Sequence, residues 1–178
     1  MTQRTQYPDE YIDYLIYFHA ERDYFECHEI LEEYWKEKER PELDKAWVGL
    51  IQVAVSLYHQ RRNNISGAVK MMRSAISNLN KNDLHILGIN AENFMNQLEE
   101  RLEELSSTEL TRYSDLNIPL KDDQLIERCK QICKAKNLSW LNSSDLLNKE
   151  LIHKHTLRDR TEVIKTREKA KMQKLKDD

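Results

Sequence analysis

Read at a step of about 100° per residue, the apolar positions of this chain gather into helix faces. The first predicted helix runs from about Asp9 to Arg22, with Pro8 before it and Tyr11, Tyr14 and Phe18 crowding one side. The second spans about Tyr24 to Glu39 and stops near Pro41, because proline disfavours the helical conformation of the residue before it. The third, Leu43 to Arg62, holds Trp47, Val48, Leu50, Ile51, Val53, Ala54, Val55, Leu57 and Tyr58. That is too apolar for a one-sided surface helix, so it is expected at the centre of the fold.

A turn at Asn63 and Asn64 leads to a fourth helix, about Ser66 to Leu79, and a fifth covers Ala91 to Leu105 with Phe94, Leu98, Leu102 and Leu105 as its seam. The pattern then lapses into an irregular connector from Thr108 to Leu120. Beyond it the spacing predicts a helix over about Asp122 to Lys136 and a long charged tail helix that begins between Ser143 and Lys149. The expectation is an all-α protein: a bundle of about five helices over residues 1–112 and a helical extension over 113–178.

Shifting the chain by forty positions places Phe18 and His19 on Tyr58 and His59, Arg22 on Arg62, and Leu31 on Met71. Such self-similarity predicts a repeated helical hairpin, akin to a pair of tetratricopeptide-like units without that repeat's usual residues.

Composition narrows the picture. Three glycines and three prolines in 178 residues leave little material for tight hairpins or glycine-rich phosphate loops. No stretch approaches the ~20 apolar residues of a membrane span, and Met1 to Glu10 lacks a signal peptide's apolar core, so a cytoplasmic location without membrane contact is expected. Cys27, Cys129 and Cys133 lack the paired spacings of a zinc site and read as reduced thiols. The formal net charge is −3, with ten basic against six acidic residues from Lys149 onward. Acidic residues are interleaved with Arg158, Arg160, Lys165, Arg167 and Lys169, which reads as a solvated helix and not as a nucleic-acid surface.

The chemistry lies in polar residues on faces that ought to be apolar. In the second helix His28, Leu31, Glu32 and Trp35 point the same way, so an imidazole and a carboxylate interrupt the inward face. A buried carboxylate needs a donor, an ion pair or a metal. The third helix offers Val48, Gln52, Val55 and His59 as one stripe. His19 closes the first helix, and Arg22 and Arg62 sit at matching helix ends, where they can cap carbonyls, offset Glu32 or receive an anionic ligand.

These residues support three readings. His28 and Glu32 at i,i+4, joined by His59, form a candidate divalent-metal set. The same polar groups can pair with one another to fix helix register. They can also receive a ligand. His28-Glu29-Ile30-Leu31-Glu32 lacks the second histidine of a His-Glu-x-x-His protease helix, and Glu29 points away from His28. Cys27 lies beside His28 and not opposite it, and reads as a buried small thiol. His153 and His155 are too closely spaced to share one helix face.

Phe25-Glu-Cys-His-Glu-Ile-Leu-Glu-Glu-Tyr-Trp35 resembles the signature Phe-Glu-Ala-His-Glu-x-Leu-Glu-x-x-Trp of the domain of unknown function 309 family. Gly49-Leu-Ile-Gln-Val-Ala-Val-Ser-Leu-Tyr-His59, followed by Asn64 and Gly67-Ala68, resembles that family's second motif. The resemblance covers about Tyr14 to Met72 and implies a small helical bundle with His28, Glu32, Trp35, Gln52 and His59 as characteristic positions. Cys27 stands where alanine is usual. The segment beyond Leu120 looks like an extension of firmicute-type members. The family carries no agreed activity.

The leading expectation is a helical binding or scaffold protein whose His/Glu/Gln cluster, with His28, Glu32, Trp35, Gln52, His59, Arg62, His19 and Arg22 as candidates, receives a small ligand, an ion or a partner's side chain. The competing expectation is a metal-dependent hydrolase-like enzyme in which His28, Glu32 and His59 hold the ion. In a third, the cluster is structural, and a protein partner or a second copy of the chain docks on the surface or the C-terminal extension.

Overall fold

Among the described residues, six helices begin at an Asx residue whose side chain turns back onto the first turn, which satisfies backbone N–H groups that have no partner within the helix. Asp23 accepts from the Glu26 N–H, Asn64 from Gly67, Asn80 from Asp83, Asn90 from Asn93, Asp122 from Gln124 and Leu125, and Asn148 from Leu151. In the computed structural model, which describes residues 7–109, 112–157, 169 and 171–176, these caps punctuate an all-α architecture: α1 (Asp9–Ile16), α2 (Tyr24–Lys36), α3 (Asp44–Arg61), α4 (Ile65–Asn78), α5 (Lys81–Ile86), α6 (Ala91–Ser106), α7 (Asp123–Ala135), α8 (Lys149–Ile152) and α9 (Lys154–Leu157).

α3 lies at the centre, packed by α2 on one side and α4 on the other; α1 covers α2 and carries α7, and α6 backs α4. Gly49 is what lets α3 and α4 approach. A Cβ there would stand 2.6 Å from the Leu79 side chain. Trp47 of α3 is buried against Tyr11 and meets Tyr34 of α2 edge-on, with ring centroids 5.4 Å apart.

The first helix departs from the expected run to Arg22. α1 gives way to a π-helical turn, Tyr17–Glu21, and the backbone reverses at Arg22 with φ 52°. α2 ends at Lys36 and not Glu39, since Lys38 takes a left-handed conformation ahead of Pro41. The six-residue α5 was not expected from the sequence; it is too short to show a period.

The repeated hairpin is visible at its turns, in a register one residue away from the forty-position shift. At these turns Arg22 and Asn63 are each left-handed, and Asp23 and Asn64, the residues that follow, are the caps. In the helices that follow, buried Cys27, Leu31 and Tyr34 correspond to buried Ala68, Met72 and Ala75.

The connector is not a loose link. Ile89 and Leu120 form an antiparallel bridge, flanked by Asn90 N–H to the Pro119 carbonyl at 2.7 Å and Lys121 N–H to the Gly88 carbonyl at 2.8 Å. Leu116, Ile118, Leu125, Cys129 and Cys133 belong to the same apolar core as the bundle. Of the charged tail helix, Lys149–Ile152 and Lys154–Leu157 are short helices, and residues 169 and 171–176 are helical; the basic positions Arg158, Arg160, Lys165 and Arg167 lie outside the described residues. No helix among the described residues is long and apolar enough to cross a membrane.

Candidate functional site

α3 is buried on nearly all sides. Past its first turn, the only positions of Asp44–Arg61 that are not buried are Val48, Gln52, Val55 and His59, the stripe read from the sequence. α2 and α4 flank α3, and each supplies a half-buried edge to the face: Phe25, His28, Glu32 and Trp35 from α2, and Met71, Ser74 and Asn78 from α4. One contact ties the α4 edge to the stripe, and another joins the α2 edge to buried Tyr58 beside it. Asn78 donates through Nδ2 to Gln52 Oε1 at 2.9 Å, and the Phe25 ring lies 6.1 Å from that of Tyr58.

The α2 residues are less enclosed than their sequence pattern implied. The helix buries Tyr24, Cys27, Leu31 and Tyr34, so His28 and Glu32 stand one step round the helix, with side chains 30% and 31% exposed. His28 Nε2 donates to Glu32 Oε2 at 2.6 Å, and Lys36 Nζ reaches Glu32 Oε1 at 2.8 Å. The Lys36 hydrogen bond and the neighbouring His28 outweigh partial burial and hold the Glu32 carboxyl below its ordinary range. Trp35 is half-buried, its indole N–H without a hydrogen-bond partner among the described residues and its ring 4.5 Å from the Lys38 ammonium.

His59 is oriented by a short chain of signature residues. Asn64 uses Oδ1 to cap α4 at the Gly67 N–H, 3.2 Å away, which turns its Nδ2 toward His59 Nδ1 at 3.3 Å. Gly67 makes room for this, since a Cβ there would come within 2.7 Å of the Asn64 amide nitrogen. An amide nitrogen only donates, so His59 Nδ1 is the acceptor and the proton of the neutral ring sits on Nε2. Burial, Arg62 and His155 together push the His59 pKa down.

Arg62 sits where α3 ends. Its Nη1 donates to Nε2 of His155 at 2.6 Å, its guanidinium lies 5.6 Å over the Tyr58 ring, and its Nε is buried without a partner among the described residues. His155 also bonds the Tyr58 hydroxyl through Nδ1 and donates its backbone N–H to that hydroxyl at 3.1 Å. Nothing local in the sequence marks His155 as a partner of Arg62, ninety-three residues away.

His19 and Arg22 stand apart from this face, fully buried beneath the connector. His19 Nδ1 donates to the Leu15 carbonyl at 2.8 Å and Nε2 accepts the Ile118 N–H at 2.9 Å, and burial pushes its pKa down to about 3. Arg22 spends its guanidinium on Asn142 O, Leu116 O and Asn117 Oδ1 at 2.7, 2.9 and 2.6 Å. Arg61, which the sequence reading passed over, is buried beside them and donates to the Arg22 carbonyl at 2.7 Å while covering the Tyr24 ring.

Among the described residues no group of three or more His, Cys, Asp or Glu side chains is placed to hold a metal ion; His28 and Glu32 pair with each other, and His59 is turned to Asn64. Cys27 is fully buried, and burial raises its thiol pKa, which makes it a poor nucleophile.

The family model described as "Domain of unknown function (DUF309)" matches residues 11–71, the span that contains the whole α2–α3 face. The chain is 45% identical over 165 residues to the uncharacterized protein YpuF of Bacillus subtilis (strain 168), covering 92% of this chain and 94% of that protein. No solved structure matches.

Proposed function

The chain belongs to the DUF309 family, and from that premise we propose that it is a helical binding protein whose working surface is the half-buried face of α2, α3 and α4. The observation that carries this reading is the isolation of one stripe on an otherwise buried helix. Val48, Gln52, Val55 and His59 mix apolar and hydrogen-bonding groups on a rigid central element, and Gln52 and His59 are signature positions. Ligand sites are built from such apolar surfaces with a few placed polar groups. His28, Glu32 and Trp35 form one rim, while His155 and Arg62 close one end.

The metal-dependent alternative draws on the His28–Glu32 pair, but that pair is already closed by a 2.6 Å hydrogen bond and a third ligand is not beside it among the described residues. A register-fixing role is weakened by the exposure of His28 and Glu32, since a half-solvated pair adds little to stability.

The test compares urea stability of the wild type with Gln52→Leu and His28→Leu. Residues kept for binding are replaced at no cost or with a gain of about 0.5–2 kcal/mol. Loss of more than about 1 kcal/mol in both would make the cluster structural and overturn the reading.

A further inference from the structure

We propose that α8 and α9 form a hinged strap across the His59 end of the α2–α3–α4 face, and that lifting of this strap admits the ligand of that face. The inference concerns the regulation of the binding face and rests on that reading. It starts from where the apolar core stops along the chain. α7 contributes Leu125, Cys129 and Cys133 to the core, and Leu138 and Trp140 pack against it. Among the described residues beyond Trp140, Ile152 is buried but stands outside that core. The strap is held mainly by polar contacts, which exchange for water more readily than an interdigitated apolar layer.

These contacts fall into two groups with a short link between them. In the first, Arg22 Nε donates to the Asn142 carbonyl at 2.7 Å, Arg61 Nη1 to Ser144 Oγ at 3.2 Å, and the Ser144 N–H to Asp115 Oδ2 at 2.8 Å. Arg22 and Arg61 are buried, so this end is fixed to the bundle. The link 145–148 follows, with Leu147 91% exposed. Its hydrogen bonds among the described residues are local: the Leu147 and Asn148 N–H groups donate back to Asp145, and the Asn148 side chain caps α8. Hinges are built from short segments of this kind, at the end of an element and free to absorb backbone rotation.

The second group crosses the face. Lys154 Nζ meets Asp23 at 2.6 Å and Glu26 at 3.1 Å at the start of α2. His155, its neighbour in α9, sets its ring edge-on to Tyr58 with centroids 5.3 Å apart, donates its backbone N–H to the Tyr58 hydroxyl at 3.1 Å and accepts from Arg62 Nη1 at 2.6 Å. One turn of helix thus joins the start of α2 to the end of α3. Tyr58 precedes His59 and lies 6.1 Å from the Phe25 ring, so the strap closes the face where Phe25 and His59 bound it. The Lys154 side chain is 30% exposed, and dissolved salt screens a pair of that kind.

The test uses the full chain as wild type, as Lys154→Glu, which sets a third carboxylate beside Asp23 and Glu26, and as the charge-swapped Glu26→Lys/Lys154→Glu. Amide hydrogen exchange at the His155 N–H reads the strap, and exchange in the middle of α3 reads global stability. Amide shifts of Val55 and His59 during titration with indole, an apolar ring with one donor, read access to the face. In the wild type the His155 N–H should exchange ahead of the α3 amides. In Lys154→Glu it should exchange about tenfold faster with α3 protection unchanged, and indole binding should tighten by about the same factor. The charge swap should reverse part of both, and wild type in about 1 M sodium chloride should open the strap without a substitution. A His155 N–H that exchanges only with the α3 amides in every form would overturn the proposal. So would an accelerated His155 N–H with indole affinity unchanged, or no saturable indole shift at Val55 and His59 in Lys154→Glu. Any of these outcomes together with unchanged stability in Gln52→Leu leaves the face reading standing, so the two are told apart.

Discussion

The imidazole of His19 joins two parts of the chain ninety-nine residues apart: its Nε2 accepts the backbone N–H of Ile118 while its Nδ1 donates to Leu15, so the connector is fixed onto the π-helical turn. Both ring nitrogens are committed in the neutral form, and a protonated ring could not accept from Ile118.

The pH dependence of stability follows from this bond. The folded pKa of His19 is depressed to about 3 from 6.5, so below pH 6.5 the unfolded chain takes up a proton that the folded chain refuses. The contribution of His19 is therefore fully present above pH 6.5 and is lost as pH falls toward 3, at about 1.4 kcal/mol per pH unit. Urea unfolding at pH 6.5 and 5 should show about 2 kcal/mol of loss from this group. His59, whose pKa is also lowered, adds in the same direction. A His19→Gln variant that retains the full wild-type pH slope would contradict the assignment.

Arg22, only 2% exposed, fastens the same connector with two hydrogen bonds, to Leu116 O and Asn117 Oδ1, and holds Asn142 O beyond α7 with a third. Arg22→Ala should cost about 3 kcal/mol or more, since it strands the Leu116 carbonyl and vacates a buried volume. Amide hydrogen exchange checks this at a finer grain: the Ile118 N–H should exchange far faster in the variant, while amides in the middle of α3 change only with global stability. Uniform acceleration across both would contradict a local fastening role.

Gly49 permits the close approach of α3 and α4. An alanine would gain up to about 1 kcal/mol from helix propensity, but its Cβ meets Leu79 at 2.6 Å, and overpacking of this kind costs about 1–3 kcal/mol. A lower melting temperature for Gly49→Ala is the expected outcome in a thermal melt. A raised one would show that Leu79 gives way freely.

Much of the helical plan was legible because its signals are local. Pro8, Pro41, Asn64 and Asp122 sit within one turn of observed helix starts, and the stripe of Val48, Gln52, Val55 and His59 emerged from spacing alone. The depth of that face was harder to read. His28 and Glu32 lie only one helical step from the buried row of Cys27 and Leu31, and a sequence does not fix a helix's rotation to that precision. His19 and Arg22 were grouped with the cluster because they share helix ends with His59 and Arg62, but the connector claims them, and such a contact has no local trace. The same holds for His155, dismissed as half of a weak histidine pair and found against Arg62 and Tyr58.

The α2–α3–α4 face is the proposed binding surface of this protein. Backbone amide shifts of the full chain, recorded against a library of small fragments, test it most directly. Binding fragments should move amides of Gln52, Val55, His59 and Asn78 together, and Gln52→Leu should alter their affinity. Fragments that instead gather on the exposed Leu146–Leu147 loop, or that scatter without a common site, would contradict it.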